Sequence, residues 1–242
     1  MNLNLARVFA DAAALWRQDR DFWVRIAGVL FLLPELALLV FVPLPDLRSL
    51  APEAAQLALV QWMVAQWSWL LAYVVARVFG SGVVLSLLLD ASRPPLAAAL
   101  RRSLVQLPWL VLAYLAVLLL VGFGFTLFIV PGLYILGRTY LTLPILVAEP
   151  QRGPIGALIA AVRASHGRGW LFLLVTMSAF SVAYLAAGVV GAIGVALGAD
   201  SQPAVDMVID LLLAAVAAAS ALVQVLLQAA AYRGLDAAKQ GI

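Results

Sequence analysis

Three ionisable side chains, Glu35, Arg77 and Arg138, stand inside long apolar stretches, about 11 to 13 residues from the nearest basic segment. On a helix rising about 1.5 Å per residue, that is roughly 16 to 20 Å, close to the middle of a bilayer. A charge at that depth costs about 2.5 to 3.5 kcal/mol on insertion scales, so each must face protein, water or an opposite charge. Glu35 is the one acidic group available at that depth, and Arg77 and Arg138 compete for it. The arginine left over is a candidate for binding an anion such as a lipid phosphate. The same three residues would serve equally as a fastening between helices. Gln61, Gln66, Gln224 and Gln228 are candidates for interhelical hydrogen bonds.

Other reactive constellations are missing from the sequence. The single histidine, His166, lies beside Gly167 and Arg168 with no cysteine and no second histidine to complete a metal site. There is no Gly-x-Ser-x-Gly elbow, Gly-rich phosphate loop or His-Glu-x-x-His helix. Asp206 and Asp210 are one helical turn apart, but acids at a helix start more simply favour the dipole. The expectation is therefore a protein that is not an enzyme, with no cofactor and no metal.

The elements that carry these residues follow from composition. Of 242 residues, 65% are hydrophobic and 11% charged, against about half and a quarter in a soluble domain. Apolar windows near 23–42, 62–89, 109–128, 130–148, 170–197 and 206–231 predict six transmembrane helices in one all-α polytopic membrane domain. No stretch is long and polar enough for a separate soluble domain. The apolar run 22–42 is too long for a signal-peptide core and is expected to remain as the first span. Gly80, Ser81 and Gly82 mark a candidate bend, and Pro131 with Gly132 a tight turn between the third and fourth spans. Gly188, Gly191, Gly194 and Gly198, with the alanine run 214–221, predict close helix packing.

Twelve of the fifteen basic residues fall at the termini and in alternate loops, including Arg93, Arg101, Arg102, Arg152, Arg163 and Arg168. Because cytoplasmic loops are enriched in Lys and Arg, both termini are expected in the cytoplasm, with these six arginines as candidate surface contacts. Basic residues scattered in this way make no nucleic-acid-binding face. Trp16, Trp23, Trp109 and Trp170 fit an aromatic belt at the inner boundary, and Trp62, Trp67 and Trp69 one at the outer boundary.

Each odd-numbered span is preceded by a segment of helical apolar periodicity with arginines opposite, such as Leu5, Val8, Ala12 and Trp16, or Ile155, Leu158, Ile159 and Val162. These read as interfacial amphipathic helices on the cytoplasmic side. Each even-numbered span ends in an acid followed three residues later by a base: Asp90 and Arg93, Glu149 and Arg152, Asp236 and Lys239. The chain thus reads as three copies of one unit, about 1–92, 93–151 and 152–242, each an interfacial helix followed by a two-span hairpin.

Between Pro131 and Trp170, the residues Pro131, Gly132, Arg138, Pro144, Glu149, Gly156, Ala157, Ser165, Arg168 and Trp170 resemble a known pattern. It is that of the membrane domain found fused to bacterial glycerophosphoryl diester phosphodiesterases and in stand-alone multi-pass relatives. In fused members the resemblance implies hydrolysis by a separate soluble barrel, which this chain lacks. What it implies here is a bacterial inner-membrane location, a lipid-related partner, and Arg138 as the matching intramembrane arginine.

Two roles remain open at this level. One is a non-catalytic accessory or scaffold that contacts membrane lipids and either another membrane protein or a second copy of itself. The other is a small transporter or lipid-handling protein in which Arg77, Arg138 and Glu35 meet an anionic headgroup or solute.

Overall fold

The computed structural model describes residues 4–42, 45, 50–90, 92, 94–198 and 202–239, the last two by backbone alone. Arg93, with Asp46, Arg48 and Asp200, lies outside the described residues. Eleven α-helices run in order: α1 (Leu5–Gln18), α2 (Arg20–Ala27), α3 (Leu33–Phe41), α4 (Pro52–Ala65), α5 (Trp67–Leu89), α6 (Leu96–Leu127), α7 (Ile129–Thr139), α8 (Thr142–Ala148), α9 (Gly153–Ala164), α10 (Gly169–Ala196) and α11 (Pro203–Lys239). No strand occurs among the described residues. Six helical stretches are long and apolar enough to cross a membrane: Arg20–Phe41, Trp67–Leu89, Leu96–Leu127, Ile129–Ala148, Gly169–Ala196 and Pro203–Ala237. The chain is an all-α polytopic membrane protein.

Five spans close a ring: α5 packs on α6, α6 on α7, α7 on α10, α10 on α11, and α11 back on α5. The first span lies outside the ring against α5 and α11. It is joined by a π-helical turn, Gly28–Leu32, between α2 and α3. Pro34 explains that turn, because its ring has no N–H to give the Leu30 carbonyl and would clash with it in a regular helix. Glu35 follows directly. The same turn sets the Leu30 carbonyl and Phe31 against Gly80 of α5, where a Cβ would lie 3.2 and 3.0 Å from them.

Gly80 and Gly82 therefore serve packing, and α5 runs through them without the expected bend. A Cβ on Gly82 would come within 2.7 Å of Leu110 of α6. The break in this stretch falls instead at Gln66, which separates α4 from α5. The hairpin turn also shifts. Extended Phe128 (φ −167°, ψ 161°) joins α6 to α7, while Pro131 sits in the first turn of α7, where its missing N–H has no intrahelical partner to lose. Gly132 lies against Phe125, and a Cβ on Gly124 would stand 2.8 Å from its Cα. Of the glycines expected to pack in the fifth span, Gly194 meets Ile209, but Gly188 and Gly191 have open space around them. The alanines of α11 do pack, with Ala214, Ala218 and Ala221 buried.

The segments preceding the odd spans are helical, but they differ from one another. α1 buries Val8, Ala12 and Leu15 on one face and lays it on α11, so protein rather than lipid covers that face. The segment 96–107 is no separate helix. It continues through Pro108 into the span as α6, 32 residues or about 48 Å long. α9 buries Ala157 and Ala161 while Ile155 and Ile159 point outward, the amphipathic form expected. Trp67, Trp109 and Trp170 are more than half exposed, as belt residues would be. Trp23 belongs to the core instead, its indole N–H bonded to the Leu15 carbonyl at 3.2 Å.

Candidate functional site

Arg77 lies twelve residues before the end of α5 at Leu89, or about 18 Å along the axis. Its Nη1 donates to Glu35 Oε1 at 2.9 Å and to Tyr73 Oη at 2.7 Å, and Tyr73 Oη donates to the same Glu35 oxygen at 2.5 Å. Glu35 comes from α3, on the outside of the ring, and its side chain is 11% exposed. The competition expected for Glu35 is thus won by Arg77. Tyr73 was missed in the sequence, although it stands four residues before Arg77 and so must share its helix face.

The other side of Arg77 lines a partly open cavity of about 310 Å³ among the five spans of the ring. α11 contributes Ala221, Gln224, Val225 and Gln228 at helical spacing, α10 contributes Thr176 and Phe180, and α6 contributes Tyr114 and Leu118. Thr142 and Leu143 of α8 also line it, from where the chain bends between Thr139 and Thr142. Tyr140 sits at that bend. Its ring stacks on Phe172 at 5.7 Å between centroids, and its hydroxyl is buried with no hydrogen-bond partner among the described residues. A buried hydroxyl left without a partner costs about 1 to 3 kcal/mol, and this oxygen has no surface open to the cavity, so it lies behind the wall. The hydroxyls of Ser81, Thr139, Thr142 and Thr176 are by contrast spent on carbonyls of their own helices or turns. The bend at Tyr140 left no signal in the apolar window, because a broken helix and a straight one have the same hydropathy.

Arg138 is elsewhere. Its Nη2 donates to the Val162 carbonyl at 2.6 Å, its guanidinium lies over the Tyr134 ring at 5.7 Å, and Ser165 Oγ donates to its backbone carbonyl at 2.9 Å. Val162 is in the last turn of α9, so Arg138 satisfies a carbonyl without an intrahelical partner and meets the negative end of that helix. Two further arginines repeat the device. Arg102 donates to the Val147 carbonyl in the last turn of α8, and Arg233 to the Leu88 carbonyl in the last turn of α5. Carbonyls at helix ends have no intrahelical donor, and these arginines supply one.

Of the remaining basic candidates, Arg102 also pairs with Asp90 at 2.8 Å and Arg152 with Glu149 at 2.6 Å. The acid-to-base spacing of three is thus realised as an ion pair at Glu149; Asp90 meets Arg102, twelve positions on, and its expected partner Arg93 lies outside the described residues. Two hydrogen bonds from Ser92, one from its hydroxyl and one from its N–H, together with the Arg102 guanidinium, hold the Asp90 carboxyl below the usual carboxylate range. Arg101 and Arg163 are exposed, and Arg168 is half-buried at the start of α10. No group of three or more metal-ligating residues occurs among the described residues.

The fold and its interior define a polytopic helical membrane protein with a partly polar cavity at the depth of its buried ion pair. Comparison of the chain with protein-family models, with curated proteins and with solved structures finds no match.

Proposed function

We propose that this chain is a non-catalytic bacterial inner-membrane protein that handles lipid, holding the polar end of a membrane molecule in the cavity beside Arg77. The observation that carries this reading is the cavity itself. It reaches Arg77 inside the ring, whose Nε and Nη2 have no partner among the described residues. An accessory protein that only fastened to a partner would have no use for a hollow with an unsatisfied donor, because filling it with apolar side chains would add stability. The likeness of residues 131–170 to a membrane domain associated with phospholipid chemistry points the same way. The twelve basic residues at the termini and in alternate loops support a cytoplasmic location for both termini.

The test is native mass spectrometry of the protein released from mild detergent. Wild type retains a bound lipid. Ala221→Phe, which fills the cavity from α11, loses it, while Ala215→Phe on the exposed side of the same helix keeps it. Equal retention in all three proteins would show that bound lipid sits on the outside of the bundle and would end this reading.

A further inference from the structure

We propose that the cavity takes an uncharged, acceptor-rich headgroup, an ester, carbonyl or polyol, whose hydrocarbon chain leads out into the lipid. The proposal rests on the lipid-handling reading above and names its ligand class, against the anionic headgroup that the sequence suggested.

Charge is the first argument. Arg77 is the one ionisable cation on the cavity wall, and Glu35 behind it cancels its charge at 2.9 Å. The site is therefore neutral before anything enters. A phosphate monoester or diester would leave a net negative charge at a depth where an uncompensated charge is expensive. An uncharged head enters without that cost.

Hydrogen-bonding capacity is the second. With Nη1 used on Glu35 and Tyr73, the Nε and Nη2 donors of Arg77 have no partner among the described residues. The neighbouring Ser and Thr hydroxyl hydrogens are already committed to backbone carbonyls. The free nitrogens of Arg77 suit a ligand rich in acceptors, and the amide oxygens of Gln224 and Gln228 on the same wall can accept from its hydroxyl groups. A cation finds no free carboxylate there.

Size is the third. About 310 Å³ is at the small end of ligand sites and holds a glycerol-sized head with its ester groups, but not two acyl chains. Leu118 and Phe180 line the cavity and are themselves 45% and 47% exposed, so its apolar wall gives a hydrocarbon chain exposed apolar side chains to run along.

The experiment compares dioleoylglycerol with dioleoylphosphatidic acid, which differ only by the phosphate, binding to the purified full chain in nonionic detergent. Wild type should bind dioleoylglycerol roughly tenfold more tightly or better, and free glycerol should not compete. Glu35→Gln keeps an oxygen for Tyr73 and Arg77 but removes the compensating charge, so it should reverse the preference toward dioleoylphosphatidic acid. A wild type that prefers dioleoylphosphatidic acid overturns the headgroup assignment while leaving the cavity reading intact. Competition by free glycerol overturns the amphiphile. Binding of neither lipid, with Ala221→Phe indistinguishable from wild type, overturns both and leaves a cavity filled by water.

Discussion

Glu35→Ala isolates the buried ion pair. In wild type, Glu35 accepts from both Tyr73 and Arg77, its side chain 11% exposed and that of Arg77 28%. Removing the carboxylate strands a guanidinium at mid-span. Breaking a fully buried pair costs about 3 to 5 kcal/mol, and the cavity on the far side of Arg77 relieves part of that, so about 3 kcal/mol is the expected loss. For a chain of this size that corresponds to a fall in melting temperature of roughly 6 to 12 °C, read from tryptophan fluorescence in detergent. Arg77→Leu should cost a similar amount by stranding Glu35. The double substitution Glu35→Ala with Arg77→Leu should recover at least about 1.5 kcal/mol of the summed losses, because neither charge then remains unpaired. Strictly additive effects, or single shifts below about 2 °C, would refute the pairing as the source of stability.

Arg138→Leu should lower stability by about 1 to 2 kcal/mol through the uncapped α9 carbonyl, yet leave retained lipid unchanged in native mass spectrometry. If lipid is lost while the melting temperature holds, Arg138 belongs to the site and not to the helix end. Gly137→Ala should prevent stable folding, since a Cβ there collides with the Gly169 carbonyl, whereas Gly188→Ala meets nothing and should be neutral or raise stability by up to about 1 kcal/mol. Expression and melting temperature of the two variants side by side decide this. Asp90 gives a pH dependence. Its folded carboxyl titrates below the unfolded one, so it contributes stability at neutral pH that begins to fall once pH drops below the usual carboxylate range, and is gone below the folded value. Asp90→Asn should flatten that part of the melting-temperature profile, and an unchanged acid limb would count against the Ser92 and Arg102 contacts.

Composition alone determined the membrane class, the six spans and the depth at which charges would be costly, because hydropathy depends on residue type and helical rise is constant. It also limited the site to Glu35, Arg77 and Arg138. It left their assignment open, since a count of residues along a span assumes a straight helix. The bend after Thr139 breaks that assumption, and Arg138 ends beside the first turn of α10 as the cap of α9. Gly80 and Gly82 read as a bend in the sequence, and only the approach of Phe31 and Leu110 shows them to be a packing surface. Tyr140 carried no sequence signal as a site residue. Its ring lines the cavity and its hydroxyl is left without a partner because of how the five helices close around it, a property of the ring that no one span contains.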